Sequence, residues 1–438
     1  MNFIKFITLL IFSFSLKAEN YLLMDDESES FITEIIDKLK NALNFDGTIK
    51  VYISSDQTLN ASATQSGDIV INSGAITQCS NSKELIAILA HEVGHIAGIH
   101  VTTYLANKTD FLKAGLVPTL IGMVASIYSQ NGAPIMAGLL SGQSLGTGMA
   151  LSKLRQKENI ADTKAVQAIE KLNWLPIFDG FVSIHEKLNS DSAIFNKYLS
   201  THPQSQDRIA KFKKYKDLLK KPVSQKIVDV IQDYENRFQT IKYKIRALTI
   251  SSELSESLYK NPKNKNEKYA RAIILYRLKK YEESINLINE LLSESSNNAY
   301  YTEIKSMSLI NLKKCKQAAT EALKILKNDR NTTIHRDLAI IYGDAVLEGN
   351  LDNHIPQAIR FLKKILSRYD SDLSTINLIG KLYQISGKDY NSALYAAKSA
   401  FILGDIKMAK MHAEKASKSS DLTIRIQAKD ILYSLKQN

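Results

Sequence analysis

The 438-residue chain is long enough for two or three domains. Its 44% hydrophobic and 23% charged residues exclude a disordered or fibrous protein. Only two cysteines are present, far apart at Cys79 and Cys315, which excludes a disulfide framework and cysteine zinc-site spacing. The net charge of +12 and pI near 9.2 suit an anionic partner, either a membrane surface or an acidic polypeptide. They are equally met by a solvated basic face such as Arg208 to Lys214, and nothing resembles a nucleic-acid module.

The first 18 residues read as a secretory signal: Lys5, then an apolar run from Phe6 to Ser15 too short to span a bilayer, with cleavage after Ala18. Residues 29–45 have helical periodicity, and Thr48 to Ser54 alternates like a strand. Residues 61–72 read as a second extended segment with a turn near Ser66-Gly67-Asp68. Asn81-Ser82-Lys83-Glu84 has the form of a helix start, and the apolar residues Leu85, Ile86, Ile88 and Leu89 carry that helix into His91-Glu92-Val93-Gly94-His95.

Residues four apart on a helix share a face, so His91 and His95 can offer two imidazoles to one metal. Imidazole suits Zn²⁺, whose catalytic sites use three protein ligands and keep a fourth position open. Glu92, beside them, is placed to act as general base. Glu158 and Asp162 are again four apart, on a later helix. Glu158 is the expected third ligand, and Asp162 the expected acceptor of a ligating histidine's N–H. His100 is a rival third ligand, but five residues beyond His95 it points off the metal face.

Between the two helices, Ala114 to Ser152 holds no charged side chain, seven glycines and two prolines. Three readings stay open: a lid over the site, a membrane-contacting hairpin, or buried core. Residues 203–225 are polar and basic, a reasonable domain junction.

From about residue 265 the chain repeats. Tyr281-Glu282-Glu283-Ser284-Ile285 and Cys315-Lys316-Gln317-Ala318-Ala319 share a register 34 residues apart. Later copies centre on Ala358, Ala393 and Ala409, with an insertion near 349–354. A period of 34 with small residues where helices meet is the tetratricopeptide (TPR) pattern, suited to holding a peptide or protein. Gly380-Lys381-Leu382-Tyr383 and Leu403-Gly404-Asp405 read as helix starts and turns.

The HEVGH segment, the downstream Glu-x-x-Ala-Asp and the repeats together resemble the HtpX and CAAX-protease group of zinc endopeptidases, peptidase family M48. Within it the likeness is to BepA-type periplasmic chaperone-proteases. Asn60 to Thr64 with Gly67, then Ile71-Asn72-Ser73-Gly74, is similar to that group's strand before the zinc helix. Thr201-His202-Pro203 followed by Arg208-Ile209 is similar to its downstream motif. The resemblance implies one Zn²⁺ held by His91, His95 and Glu158, with Glu92 as base and Asp162 and Arg208 behind the ligands. It implies a substrate edge at Ala63, Thr64, Gly67 and Asn72. His202 would sit near the metal, as a reversible fourth ligand or as an oxyanion donor.

The expected architecture is an α+β gluzincin-type domain over 19–225, a helical connector over 226–264, and an all-α TPR solenoid over 265–438. The expected activity is endoproteolysis of misfolded or stalled envelope proteins in the periplasm, with contacts to the outer-membrane barrel assembly machinery. A scaffold with latent proteolysis and an integral-membrane protease are the alternatives.

Overall fold

A computed structural model describes residues 20–64, 66–106, 144–190, 202, 206–218, 222–328, 335–367 and 369–437. The signal segment, residues 114–143 of the uncharged stretch, and Thr201 and Pro203 lie outside the described residues. The chain is mostly helical with one small sheet, and it forms two compact units. The first holds Phe31–Glu235; the second holds Asp25–Ser30 together with Asn236–Asn438.

In the first unit, helix α1 (Asp26–Ala42) buries Phe31, Ile32, Ile35, Ile36 and Leu39, the 3.6-residue stripe expected of an amphipathic helix. Its observed start is three residues earlier than the periodicity placed it, because Asp26, Glu27 and Glu29 form the acidic first turn that a helix N-terminus favours. The sheet has strands β1 (Leu22–Leu23), β2 (Val51–Ser54), β3 (Ala61–Ala63) and β4 (Ile69–Asn72), in the order β1-β2-β4-β3. β2 and β4 run parallel, and the other pairs are antiparallel. The extended segment over 61–72 is therefore a hairpin, turned at Gly67 where φ is +83°. Ser73–Gln78 (α2) is helical rather than a continuation of the strand.

Helix α3 (Ser82–Ala106) starts where the sequence signals it. Asn81 Oδ1 accepts from the Glu84 backbone N–H at 3.2 Å, and the Glu84 carboxylate reaches back to the Ser80 N–H at 2.8 Å. Leu85 to Ala90 and Val93 are fully buried. An apolar circumference of this kind packs on several sides, and α3 meets β3, helix α4 (Ser144–Lys171) and helix α5 (Ile177–Ser190). Residues 144–152 of the uncharged stretch form the first turns of α4. Among the described residues no helix is long and apolar enough to cross a membrane. Helix α6 (Gln206–Leu218) packs on α5 through Phe212, which stacks on Phe181 at 4.4 Å between ring centroids.

Helix α7 (Gln225–Thr249) leads into a series of helix pairs in the second unit. They are α8 (Lys265–Arg277) with α9 (Tyr281–Glu294), and α10 (Ala299–Asn311) with α11 (Cys315–Asn328). Next come α12 (Arg336–Glu348) with α13 (Ile355–Leu366), and α14 (Leu373–Ile385) with α15 (Asp389–Ile402). The last pair is α16 (Ile406–Ala416) with α17 (Leu422–Gln437). Each helix packs on the next, and α8, α10, α12 and α14 also pack in sequence, the neighbour rule of a solenoid. The turns inside the first two pairs carry a left-handed residue at Lys279 and Lys313, again 34 residues apart. Buried Ala270, Ala318, Ala358, Ala393 and Ala409 line the helix contacts. Gly380 lies inside α14 rather than at a helix start; its Cβ position would be 3.4 Å from Tyr395 Cβ, so it is a close-contact residue. Leu403-Gly404-Asp405 is the turn expected, with Gly404 at φ +74°.

Candidate metal centre

Helices α3 and α4 approach closely because α3 presents glycine on the facing side. A Cβ on Gly94 would lie 2.3 Å from the Ala161 carbonyl oxygen, and one on Gly98 would lie 2.7 Å from Ile160 Cγ2. The approach brings the carboxylates at 158 and 162 up to the histidines at 91 and 95. Gly94→Ala is therefore expected to destabilise the chain by about 1–3 kcal/mol through overpacking. The backbone carbonyl opposite cannot rotate aside, so any metal affinity of the cluster should fall with it; thermal unfolding and a Zn²⁺ titration check both.

The ring nitrogens converge. His91 Nε2 and His95 Nε2 are 3.0 Å apart. Glu158 Oε2 is 3.2 Å from His91 Nε2, and Glu158 Oε1 is 3.2 Å from His95 Nε2. His202 Nδ1 joins them, 3.2 Å from His91 Nε2 and 3.4 Å from Glu158 Oε2. Donors about 2.05 Å from one tetrahedral Zn²⁺ lie about 3.3 Å from each other. The observed separations of these four side chains fit that set. His91, Glu158 and His202 are buried and His95 is nearly so. The side chain of His100 lies outside the described residues.

Behind the donors, His91 Nδ1 pairs with Asp162 Oδ1 at 2.9 Å, which orients the ring and leaves Nε2 toward the cluster. Arg208 grips Asp162 with two bonds, Nε to Oδ2 at 2.8 Å and Nη2 to Oδ1 at 2.7 Å. Its Nη1 is 3.1 Å from Glu158 Oε2. One guanidinium thus holds both Glu158 and Asp162.

Protonation follows from this packing. Burial works against charge on His91, but the Asp162 and Glu158 carboxylates outweigh it and raise the ring to about 9. Burial and the neighbouring His91 charge lower His95. Burial would raise Glu158 and Asp162, yet His202, His91 and His95 hold the first, and His91 and Arg208 the second, below the ordinary carboxylate range. The pocket thus stabilises positive charge among ionised carboxylates, which is what a cation supplies.

Glu92 stands beside the cluster, with no exposed surface. Its Oε2 accepts the Ala63 backbone N–H at 2.8 Å. Its Oε1 makes no hydrogen bond and lies 3.5 Å from His202 Nε2. That same His202 nitrogen is 3.3 Å from the Ala61 carbonyl oxygen. Ala61 and Ala63 therefore turn their outer backbone groups to two site side chains. β3 is the sheet edge; β4 lies between β2 and β3, so Asn72, with its N–H on the Asn60 carbonyl, belongs to an inner strand and not to the edge where the sequence reading put it. Thr64 bonds back to Asp68 and, with Gly67, forms the hairpin turn. Only Ala63 of the four expected edge residues lies on β3 itself.

The roles of Gly94, Gly98 and the Ala61 carbonyl escaped sequence reasoning. The glycines four apart carried a signal, a flat stripe on one helix face. The carbonyl carried none.

Residues 26–216 match the family model described as Peptidase family M48. The chain is similar to the beta-barrel assembly-enhancing protease of Yersinia pestis, 25% identical over 410 residues, covering 90% of this chain and 80% of that protein. The protein of the same name from Escherichia coli (strain K12) is 24% identical over 305 residues, covering 68% of this chain and 60% of its own length. Mitochondrial metalloendopeptidase OMA1 of Saccharomyces cerevisiae is 22% identical over 208 residues, covering 46% of this chain and 55% of that protein. The chain thus spans about three-fifths of the Escherichia coli relative.

Proposed function

We infer that this chain, which carries a peptidase domain of the M48 type over residues 26–216, is a zinc-dependent endopeptidase of misfolded or stalled envelope proteins. The observation that supports it most is the convergence of His91 Nε2, His95 Nε2 and Glu158 within 3.0–3.2 Å, with the Glu92 carboxylate beside them. His91, His95 and Glu158 would hold the ion, which when bound supplies Lewis acidity to the scissile carbonyl and lowers the pKa of water to about 7. Asp162 and Arg208 fix the ligand geometry. Glu92 would take the proton from the attacking water on Oε1, the oxygen free of hydrogen bonds, and deliver it to the leaving amine. The Ala63 N–H keeps the other oxygen in place. An extended substrate would pair along β3 by strand addition.

A second reading, a chaperone with latent proteolysis, is favoured by one contact. His202 Nδ1 lies within the donor cluster and its Nε2 on the Ala61 carbonyl, so His202 would close the fourth ligand position and the edge together. The two readings combine as a protease held shut by His202. The test is casein degradation by the zinc-loaded chain with and without a chelator. Activity lost on chelation and restored by Zn²⁺ is expected, with His202→Ala several-fold faster. No cleavage under any condition would remove the enzyme reading, and a slower His202→Ala would make His202 an oxyanion donor instead.

The helix pairs over 265–438 would receive client polypeptides, with residues 226–264 as connector after a peptidase domain over 19–225. The names of the bacterial relatives speak of β-barrel assembly, and we propose outer-membrane barrel proteins and their assembly machinery as the clients; the secretory signal read at residues 1–18 leads us to place the chain in the periplasm. The basic charge suits peripheral contact with an anionic membrane surface.

A further inference from the structure

The turn from α15 into α16 carries more apolar surface than its packing uses. On α16, Ala409, Ala413 and Ala416 are buried, and the core of the last helices is built by Ala416 with Ala393, Leu394, Ile424 and Ala428. The larger apolar residues around the turn stay outside that core. Leu403 and Ile406 are 66% and 57% exposed, Met411 is 49% exposed, and Phe401, Ile402 and Met408 are exposed with them. Among the described residues nothing lies within 4 Å of a Cβ built on Gly404, at the turn itself. The three-residue turns inside the first two helix pairs differ. They expose Lys279-Lys280 and Lys313-Lys314, and their leucines, Leu278 and Leu312, are half-buried. A solenoid turn therefore does not require an apolar tip, and a contiguous exposed apolar patch marks an interaction surface.

Charge accompanies this tip. Lys407, Lys410, Lys415 and Lys418 are exposed, and none of them makes an ion pair among the described residues. Glu414 is the one acid between Ile406 and Lys418. Helical spacing sets Lys407, Met408, Met411 and Lys415 on the side of α16 away from the buried alanines. The surface is thus apolar at the turn and mixed methionine and lysine along the helix behind it.

We propose that the α15–α16 tip docks on an anionic phospholipid bilayer. Leu403, Ile406 and their apolar neighbours would enter the boundary between headgroups and acyl chains. The lysine ammonium groups would meet the lipid phosphates, with their stems laid along the apolar layer. Two other occupants match the surface less closely. The cores of protein interfaces are enriched in arginine and poor in lysine, and the four cations here are all lysine. A second copy related by a two-fold axis would set this lysine-bearing surface against itself, and like charges face to face are costly. The proposal rests on the peripheral membrane contact inferred above from net charge, and gives that contact a place in the fold. One tip with a few lysines makes a reversible attachment rather than an anchor.

The test is flotation of the full zinc-loaded chain with two kinds of vesicle, phosphatidylcholine alone, and phosphatidylcholine with phosphatidylglycerol in equal parts. Binding should be at least about tenfold tighter to the mixed vesicles and should weaken with added NaCl. Lys407→Gln combined with Lys410→Gln removes two charges worth about fivefold each, so affinity should fall about 25-fold. Leu403→Gln combined with Ile406→Gln should weaken binding at least about tenfold. All four side chains are exposed, so the unfolding temperature should stay native in both double variants. Leu403→Trp reports insertion directly. Its emission should shift to the blue on mixed vesicles, over the constant signal of the one native tryptophan, the buried Trp174. None of these readouts involves cleavage, so the peptidase reading stands or falls separately. A native chain that binds neither kind of vesicle overturns the proposal together with the membrane reading, and leaves the tip to a protein partner. If that chain instead dimerises through Leu403 and Ile406, the tip is a contact between copies. Native-like vesicle binding by both double variants, with Leu403→Trp emission unmoved, overturns the tip alone and puts the membrane contact elsewhere on the chain.

Discussion

Glu92→Gln should lower casein cleavage by about 10²- to 10⁴-fold, the usual contribution of a positioned general base, with zinc content unchanged. The amide keeps the shape of the carboxylate and can still accept the Ala63 N–H, whose bond to Oε2 is 2.8 Å. It loses the capacity to take a proton on the other arm. The variant therefore separates chemistry from binding. Zinc stoichiometry and unfolding temperature should match the native chain, and turnover should collapse. A variant that cleaves within about threefold of native would mean that Glu92 is not the base, whatever the ligand set.

Arg208→Met has the largest expected effect on stability. The guanidinium is buried and holds Asp162 at 2.7 and 2.8 Å and Glu158 at 3.1 Å. Removing one partner from such a cluster strands charge in the interior and costs about 3–5 kcal/mol. Zinc affinity should fall about 10- to 100-fold, because the ligand support is lost. Arg208→Lys should recover only part of both, since a single ammonium cannot make the two-bond grip. Urea denaturation and competitive zinc titration measure the two effects; a Met variant as stable as native would refute the account.

The same cluster sets the acid limit. Burial would raise Asp162, but His91 and Arg208 hold its folded-state pKa below the unfolded value near 3.8. Its contribution is complete above that unfolded value and is lost as pH falls through the lower folded one. Native stability should therefore drop on acidification below about pH 4, and Arg208→Met should show a shallower drop.

The chemistry was legible where it obeyed a local rule. Four-residue spacing put His91 beside His95 and Glu158 beside Asp162, and helices α3 and α4 carry both pairs. The 34-residue register survives as successive helix pairs. What escaped was non-local. The Asp26–Asp337 contact joins residues 311 apart in sequence, and no periodicity reports it. β1 has two residues, too few to alternate. Asn72 looked like edge because the turn at Gly67 splits one extended run into an outer and an inner strand, and sequence cannot tell which is which. Gly380 looked like a helix start because glycine more often punctuates than packs.

The outer side of β3 has a consequence for selectivity. Among its outward main-chain groups, the Ala61 carbonyl is held by His202 and the Ala63 N–H by Glu92. A client that pairs along this edge, taking the Ala61 carbonyl from His202, must offer a stretch of bare backbone, and a finished domain has spent its own on internal ladders. On the proposed reading, discrimination would then fall on the folding status of the client and not on its side chains. Cut positions would vary among sequences, while a protein that completes its sheet would withdraw itself from the site.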